Sequence, residues 1–388
     1  MNRYYFDHNA TTPVSPEVFE AMAPLLREDF GNASSIHYFG QRAKQRLEEA
    51  RRQMAELIHA EAQEIVFLSG GTEADNLALF GVVRHAARLP RHVVTTIMEH
   101  PAVLGACAQL EREGVAVTRV AVGGDGVVDP DAIRRALRPG TAIVSVMHAN
   151  NELGTVQPVA EIARIAREAG ALMHSDGVQA LGKIPVDVEA LGVDLYSVSG
   201  HKVYAPKGEG ALFVRKGTPL ASVQFGGHHE RDRRPGTENV PGAVALGRAA
   251  EWLTGNGAAE AERLRALRDR LESAILDRVP GAGVNGGGAP RTPNTSSIYF
   301  DGIRGEALVI ALDLRGFAVS SGAACSSGAV EPSHVLTAIG LSAERARATI
   351  RFSLGRLNTA EQVELLVNAV VEEVARLRRL ASVERAHA

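Results

Sequence analysis

Between Glu64 and Arg215, short apolar, β-branched runs alternate with helix-period segments, and nothing else in the chain restricts the fold as strongly. The strand candidates are Ile65–Leu68, His92–Ile97, Val115–Val120, Ala142–Met147, Ala171–Ser175, Asp194–Val198 and Ala211–Arg215. Helical patterns such as Glu73–Arg88, Pro101–Glu113 and Pro158–Ala169 sit between them. Alternation of this kind predicts a mostly parallel seven-stranded sheet covered on both faces, with ligands at the strand ends. A long helical stretch, roughly Pro241 to Arg278, leads out of this unit, and Gly281–Thr295, rich in Gly, Pro and Asn, is a break. Beyond the break, strand candidates at Ser297–Phe300, Phe317–Ser320 and Thr349–Ser353 and helices at Arg304–Leu314 and Thr359–Leu380 give a smaller α+β unit. The expected division is a large domain over residues 14–255, with residues 1–13 and 256–388 forming the small one. The N-terminal arm, through about Pro13, is expected near the second unit or the mouth of the site.

The strand ends carry the chemistry. Val193-Asp-Leu-Tyr-Ser-Val198 delivers Ser199-Gly200-His201-Lys202 just past a strand, where a lysine suits a covalent Schiff base better than a solvated charge. His174-Ser-Asp176-Gly-Val-Gln179 places an aspartate at the end of the preceding strand. Pyridoxal phosphate needs such a pair, a lysine for its aldehyde and a carboxylate for its pyridine nitrogen. Alone, an aspartate at a strand end is more often a helix N-cap, and the pairing with Lys202 is what favours the cofactor reading of Asp176. Ser69-Gly70-Gly71-Thr72 follows Ile65–Leu68 and opens a helical pattern, so its backbone N–H groups could cradle a phosphate, although glycine turns between strand and helix are common. It matches neither the dinucleotide fingerprint nor the P-loop.

Bulk properties exclude several classes. The net charge is −3 without a long basic run, which argues against nucleic acid or an anionic membrane surface as a partner. The N-terminus lacks an apolar signal core, and no stretch approaches the ~18 apolar residues of a membrane span, so a soluble cytoplasmic protein is expected. The two cysteines cannot make a disulfide framework or, by themselves, a structural zinc site. Cys107 lies on an apolar helical face and reads as packing. Cys325 lies in Val319-Ser-Ser-Gly-Ala-Ala-Cys-Ser-Ser-Gly-Ala, a small, aperiodic stretch expected to be an exposed flexible loop, over about residues 320–331. A lone cysteine there is a candidate nucleophile.

Taken together, these blocks resemble the cysteine desulfurases of the NifS/IscS type, within the fold-type I pyridoxal-phosphate enzymes. The resemblance runs from Asp7-His-Asn-Ala-Thr-Thr to Arg351-Phe-Ser-Leu-Gly. Between them lie Phe30-Gly-Asn-Ala-Ser-Ser, Ser69-Gly-Gly-Thr-Glu, Glu99-His-Pro-Ala-Val-Leu, Ala149-Asn-Asn-Glu-Leu-Gly-Thr, Arg234-Pro-Gly-Thr-Glu-Asn and Ser320-Ser-Gly-Ala-Ala-Cys-Ser-Ser-Gly. It implies Lys202 as the Schiff-base lysine and Asp176 as the pyridinium partner. His100 would stack on the ring and manage a proton, although a histidine before Pro101 also reads as a helix-start residue. Gln179 and Asn151 would contact the ring hydroxyl and the cofactor's surroundings. Gly71, Thr72, Ser199 and His201 would hold the phosphate, with Thr237 reaching in from the second subunit of a homodimer. Arg351, otherwise readable as a surface arginine, would clamp the substrate carboxylate with Asn32.

Cys325 would take sulfur from L-cysteine as a persulfide, leaving L-alanine. The persulfide would serve an iron–sulfur scaffold or another sulfur-acceptor protein, with Cys325 itself a transient iron–sulfur ligand. His8, Ala33 and His229 depart from the family's usual residues, which puts only local loop geometry in doubt. Two rivals stand beside this reading: an aminotransferase or lyase of the same fold acting on another amino acid, and an inactive homologue serving as an assembly platform. Intact Lys202 and Cys325 argue against the second.

Overall fold

The computed structural model describes residues 2–86, 91–321 and 332–387, with side chains described to residue 382. Among these residues the strands, in chain order, are β1 (Tyr4–Tyr5), β2 (Ile65–Leu68), β3 (His92–Thr96), β4 (Ala116–Val120), β5 (Thr141–Ser145), β6 (Leu172–Asp176), β7 (Leu195–Ser199), β8 (Gly210–Val214), β9 (Ala282–Val284), β10 (Thr295–Phe300), β11 (Phe317–Ala318) and β12 (Thr349–Ser353). Strands β2 to β8 form one seven-stranded sheet in the order β2-β8-β7-β6-β5-β3-β4. Strand β8 is antiparallel to β2 and β7, and the other pairings are parallel. The reversal has a local cause: only residues 200–209 join β7 to β8, too few for a crossover helix.

Helices cover both faces, so central strands are buried almost throughout. Every residue of β7 and β8 is buried, whereas the edge strand β4 is half-exposed. Alternate residues feed two separate cores, Leu195 and Leu212 on one face and Tyr196 and Phe213 on the other. Each such side chain contributes about 1.5–3 kcal/mol through removal from water. The helix Val240–Arg278 spans two units: Val240, Leu246 and Leu253 join the large core, and Leu264, Leu271 and Ile275 join a second core with Phe6, Phe300, Ile350 and Phe352. Among the described residues no helix is long and apolar enough to cross a membrane.

The small unit departs from expectation in two places. Strand β9 lies inside the stretch read as a break, and completes an antiparallel sheet ordered β12-β10-β9. Its sequence, Ala-Gly-Val, is too short to alternate, and the glycine is there for clearance, since a Cβ on Gly283 would lie 2.3 Å from Tyr299 Oη. Strand β11 pairs in parallel with β1 of the N-terminal arm, and two residues on Ser320 bridges Arg351 of β12. Pinned by this pairing and by buried Phe6, the arm then crosses to the C-terminal ends of β6 and β7.

Candidate active site

Strands β6 and β7 end side by side, with Asp176 opposite Ser197, and present Asp176 at the last position of β6 and Lys202 three residues past β7. Asp176 closes β6, and its Oδ1 accepts from the Val178 N–H at 2.9 Å. After β7 the chain makes a single 3₁₀ turn, Gly200–Lys202, which swings Lys202 back over the strand ends. The N-terminal arm clasps this turn: the N–H and Oγ1 of Thr12 both donate to the His201 carbonyl, at 2.8 and 3.0 Å. Lys202 Nζ then donates to the carbonyls of Asn9 and Ala10, at 2.5 and 2.7 Å.

These groups surround a cavity of about 280 Å³. Gly71, Thr72, His100, Asn151, Asp176, Gln179, Ser199, His201, Lys202 and Arg351 all line it, as do Asn9, Ala10 and Asp75, which nothing in the sequence singled out. Asn32 and Thr237 do not line it, and both are exposed. Cys325 lies outside the described residues. Arg351, on β12, reaches the cavity from the small unit; its Nη2 donates to Asp7 Oδ1 at 2.7 Å and its Nη1 to the Asn151 carbonyl at 3.0 Å. Among the described residues its Nε is buried without a partner, a donor left over for a ligand.

His100 has two places in the structure. It is the N-cap of the helix Pro101–Arg112, with Nδ1 accepting from the Ala102 N–H at 3.2 Å, and its ring is open to the cavity. That contact leaves any proton on Nε2. Desolvation holds its pKa below the usual histidine value, with Asp176 opposing and Lys202 and His334 adding to the depression. Burial, then the neighbouring Arg351 charge, lowers the Lys202 amine to about 8, against the pull of Asp7 and Asp176. Ligand atoms of Asp75, His100 and Asp176 all lie within 4.8 Å of one another. Burial and the adjacent Asp176 push the Asp75 carboxyl well above its ordinary range.

A family model described as aminotransferase class-V matches residues 4–366. The chain belongs to the class-V aminotransferase family. Among curated relatives, it is 46% identical over 381 residues to a cysteine desulfurase of Trichormus azollae, covering 98% of this chain and 95% of that one. Among solved structures, a NifS-like protein superposes with a TM-score of 0.91 at 37% identity, over 97% of this chain and 100% of that one. A second, SspA in complex with cysteine, gives a TM-score of 0.80 at 34% identity over 90% and 98%. The NifS-type fold expected from the sequence is thus the fold observed.

This class-V aminotransferase family implies pyridoxal phosphate, and the residues present fit it. The helix Gly71–His85 points its N-terminus at the cavity beside Ser199 and His201, a site suited to a phosphate. Gly70 has φ +150°, and a Cβ on Gly71 would lie 2.7 Å from Val178 Cγ2, so bare backbone is required where the anion would rest. A lysine with a depressed pKa and a buried carboxylate occupy the same cavity. The residues that sequence reasoning missed, Asn9 and Ala10, act through backbone carbonyls, which no side-chain pattern announces.

Proposed function

We propose that this cavity is the active site of a cysteine desulfurase, which converts L-cysteine and an enzyme thiol into L-alanine and an enzyme persulfide. The observation that carries the reading is the convergence of Lys202, Asp176 and Arg351 on one cavity from three separate elements. The relatives named above, a cysteine desulfurase and a protein solved with cysteine, support the substrate.

Lys202 would hold pyridoxal phosphate, Asp176 would face its ring nitrogen, and Gly71, Thr72, Ser199 and His201 would hold its phosphate. When bound, the group supplies an electron sink for charge developing at the substrate Cα. The remaining work belongs to the chain. Arg351, with Nε to spare, binds the substrate carboxylate. Lys202, with a pKa near 8, removes and returns protons at Cα and Cβ at neutral pH. His100 offers Nε2 for a proton at the substrate thiol, its Nδ1 being held by Ala102. Cys325 as thiolate attacks the substrate sulfur: an S–S bond forms and the Cβ–Sγ bond breaks. The released electron pair goes toward Cα, and protonation at Cβ gives alanine.

The partner subunit completes the site in this reading. Thr237 is exposed and away from its own cavity, as expected of a residue that serves a second copy. Phe30 and Ile36, 65% and 94% exposed, and Tyr38 and Phe39 beside them form an apolar surface suited to a homodimer. The persulfide passes to an iron–sulfur scaffold or another sulfur acceptor in the cytoplasm, where Cys325 can transiently ligate iron.

The test is product analysis with purified, cofactor-loaded protein, L-cysteine and excess reductant. Alanine and sulfide are expected in equal amounts. Pyruvate with ammonia, or a keto acid from amino transfer, would assign the cavity to another reaction of this fold.

A further inference from the structure

Lys183 has no task in the reading above. It is 8% exposed, it does not line the cavity, and its amine is enclosed behind the wall that Gln179 presents. Its Nζ donates to Asn9 Oδ1 at 3.2 Å and, in a short contact, to Gln179 Oε1. Gln179 Nε2 in turn donates to the Asn9 carbonyl at 2.9 Å, the same oxygen that takes a proton from Lys202.

The amide of a glutamine can face either way, and its surroundings decide which. A lysine amine on Oε1 decides it here, because the reversed amide would set donor against donor. With Oε1 held, one Nε2 hydrogen goes to Asn9 and the other is left for the cavity, which Gln179 lines. We propose that Lys183 is a positioning residue for the cofactor, locking the Gln179 amide so that this wall of the cavity donates a hydrogen bond to the ring oxygen. This rests on the cofactor assignment made above. Burial, with Lys202 and Arg351 close by, holds the Lys183 pKa well below the ordinary lysine value.

A donor on the ring oxygen stabilises its anion and weakens its hold on a proton at the Lys202 nitrogen. The lock should therefore lower the pH at which the bound cofactor's visible band titrates. The charged groups facing that nitrogen are Asp176, Arg351 and Asp7, with His100, His201 and Lys183 on the surrounding walls. Only Lys183 and Gln179 are altered in the test.

The experiment is a spectrophotometric pH titration of the cofactor-loaded protein, without substrate. Lys183→Met should raise the midpoint by about one pH unit, a tenfold change in proton affinity. Lys183→Gln, which can still donate to Gln179 Oε1, should recover more than half of that shift. In the Gln179→Leu background, Lys183→Met should add nothing, because its effect passes through that amide. A parent-like midpoint in Lys183→Met, or additive shifts in the double variant, would overturn the proposal. Should Lys183→Met fail to fold, Lys183→Gln decides: its shift must vanish in the Gln179→Leu background. A parent protein with no visible band would instead refute the cofactor assignment, and so the two failures are distinguishable.

Discussion

Arg351 and Asp7 form an ion pair at 2.7 Å that joins the small unit to the N-terminal arm across the cavity wall, with side chains 8% and 19% exposed. In the proposed reading a substrate carboxylate would share this guanidinium with Asp7, so the pair would set affinity as well as structure. Arg351→Ala should weaken binding of L-alanine, an unreactive stand-in, by a hundredfold or more, on the order of 3 kcal/mol for a charge-assisted contact. Asp7→Asn removes the internal competitor and should tighten the same ligand by about threefold to tenfold. Titration of the cofactor band with L-alanine measures both. Equal affinity in Arg351→Ala and parent would remove Arg351 from the substrate site.

The lowered pKa of Lys202 makes a second, pH-dependent prediction. The folded amine, lowered to about 8 from the ordinary lysine value of 10.5, holds a larger share of its neutral form, which is the nucleophile toward an aldehyde. Capture of pyridoxal phosphate by cofactor-free protein should therefore speed up about tenfold per pH unit below 8 and level off above it. Stopped-flow absorbance would follow it. A rate still climbing steeply at pH 9.5 would mean that the amine titrates as an ordinary lysine.

The large sheet was legible because short strand-like runs alternate with helix-period segments, and the strand ends fall within a few residues of those read from the sequence. Lys202 and Asp176 were legible for the same reason, since a strand end in such a sheet is where ligands bind. The arm was less so. Asn9 and Ala10 hold Lys202 through main-chain oxygens, and no residue type encodes a carbonyl. Asp75 reads as an ordinary acid within the helix Gly71–His85; its burial beside Asp176 is a tertiary effect. Lys183 hides in the same way, as one more lysine until the fold encloses it.

A third prediction concerns the support of the loop that bears Thr237. Glu230, Arg231 and Asp232 have φ of 43°, 56° and 63°, a left-handed run that costs roughly 1–2 kcal/mol per non-glycine residue. Arg51 holds this turn in place, with paired bonds of 2.7 and 2.8 Å to the Glu230 carboxylate, which also accepts from the Phe67 N–H at 2.9 Å. Glu230→Gln would leave the Arg51 charge buried and should cost about 3–5 kcal/mol. Arg134→Ala, which breaks an exposed pair with Glu168, should leave stability close to that of the parent. Urea unfolding of the two variants compares them directly. Equal losses would show that the buried pair is not what secures the turn.

The sulfur-accepting thiol is the centre of the proposed chemistry, and the two cysteines differ sharply in fitness for it. Cys107 is 0% exposed inside the helix Pro101–Arg112, and burial pushes its thiol up to about 12, which rules it out as a nucleophile at neutral pH. Cys325 is the other cysteine of the chain. The decisive measurement is peptide mass spectrometry after brief treatment of the loaded protein with L-cysteine. One added sulfur is expected on the peptide containing Cys325, with Cys107 unmodified. Cys325→Ser should keep its cofactor band and make little alanine, while Cys107→Ser should behave like the parent. Sulfur found on Cys107, or full alanine yield from Cys325→Ser, would contradict the proposed reaction.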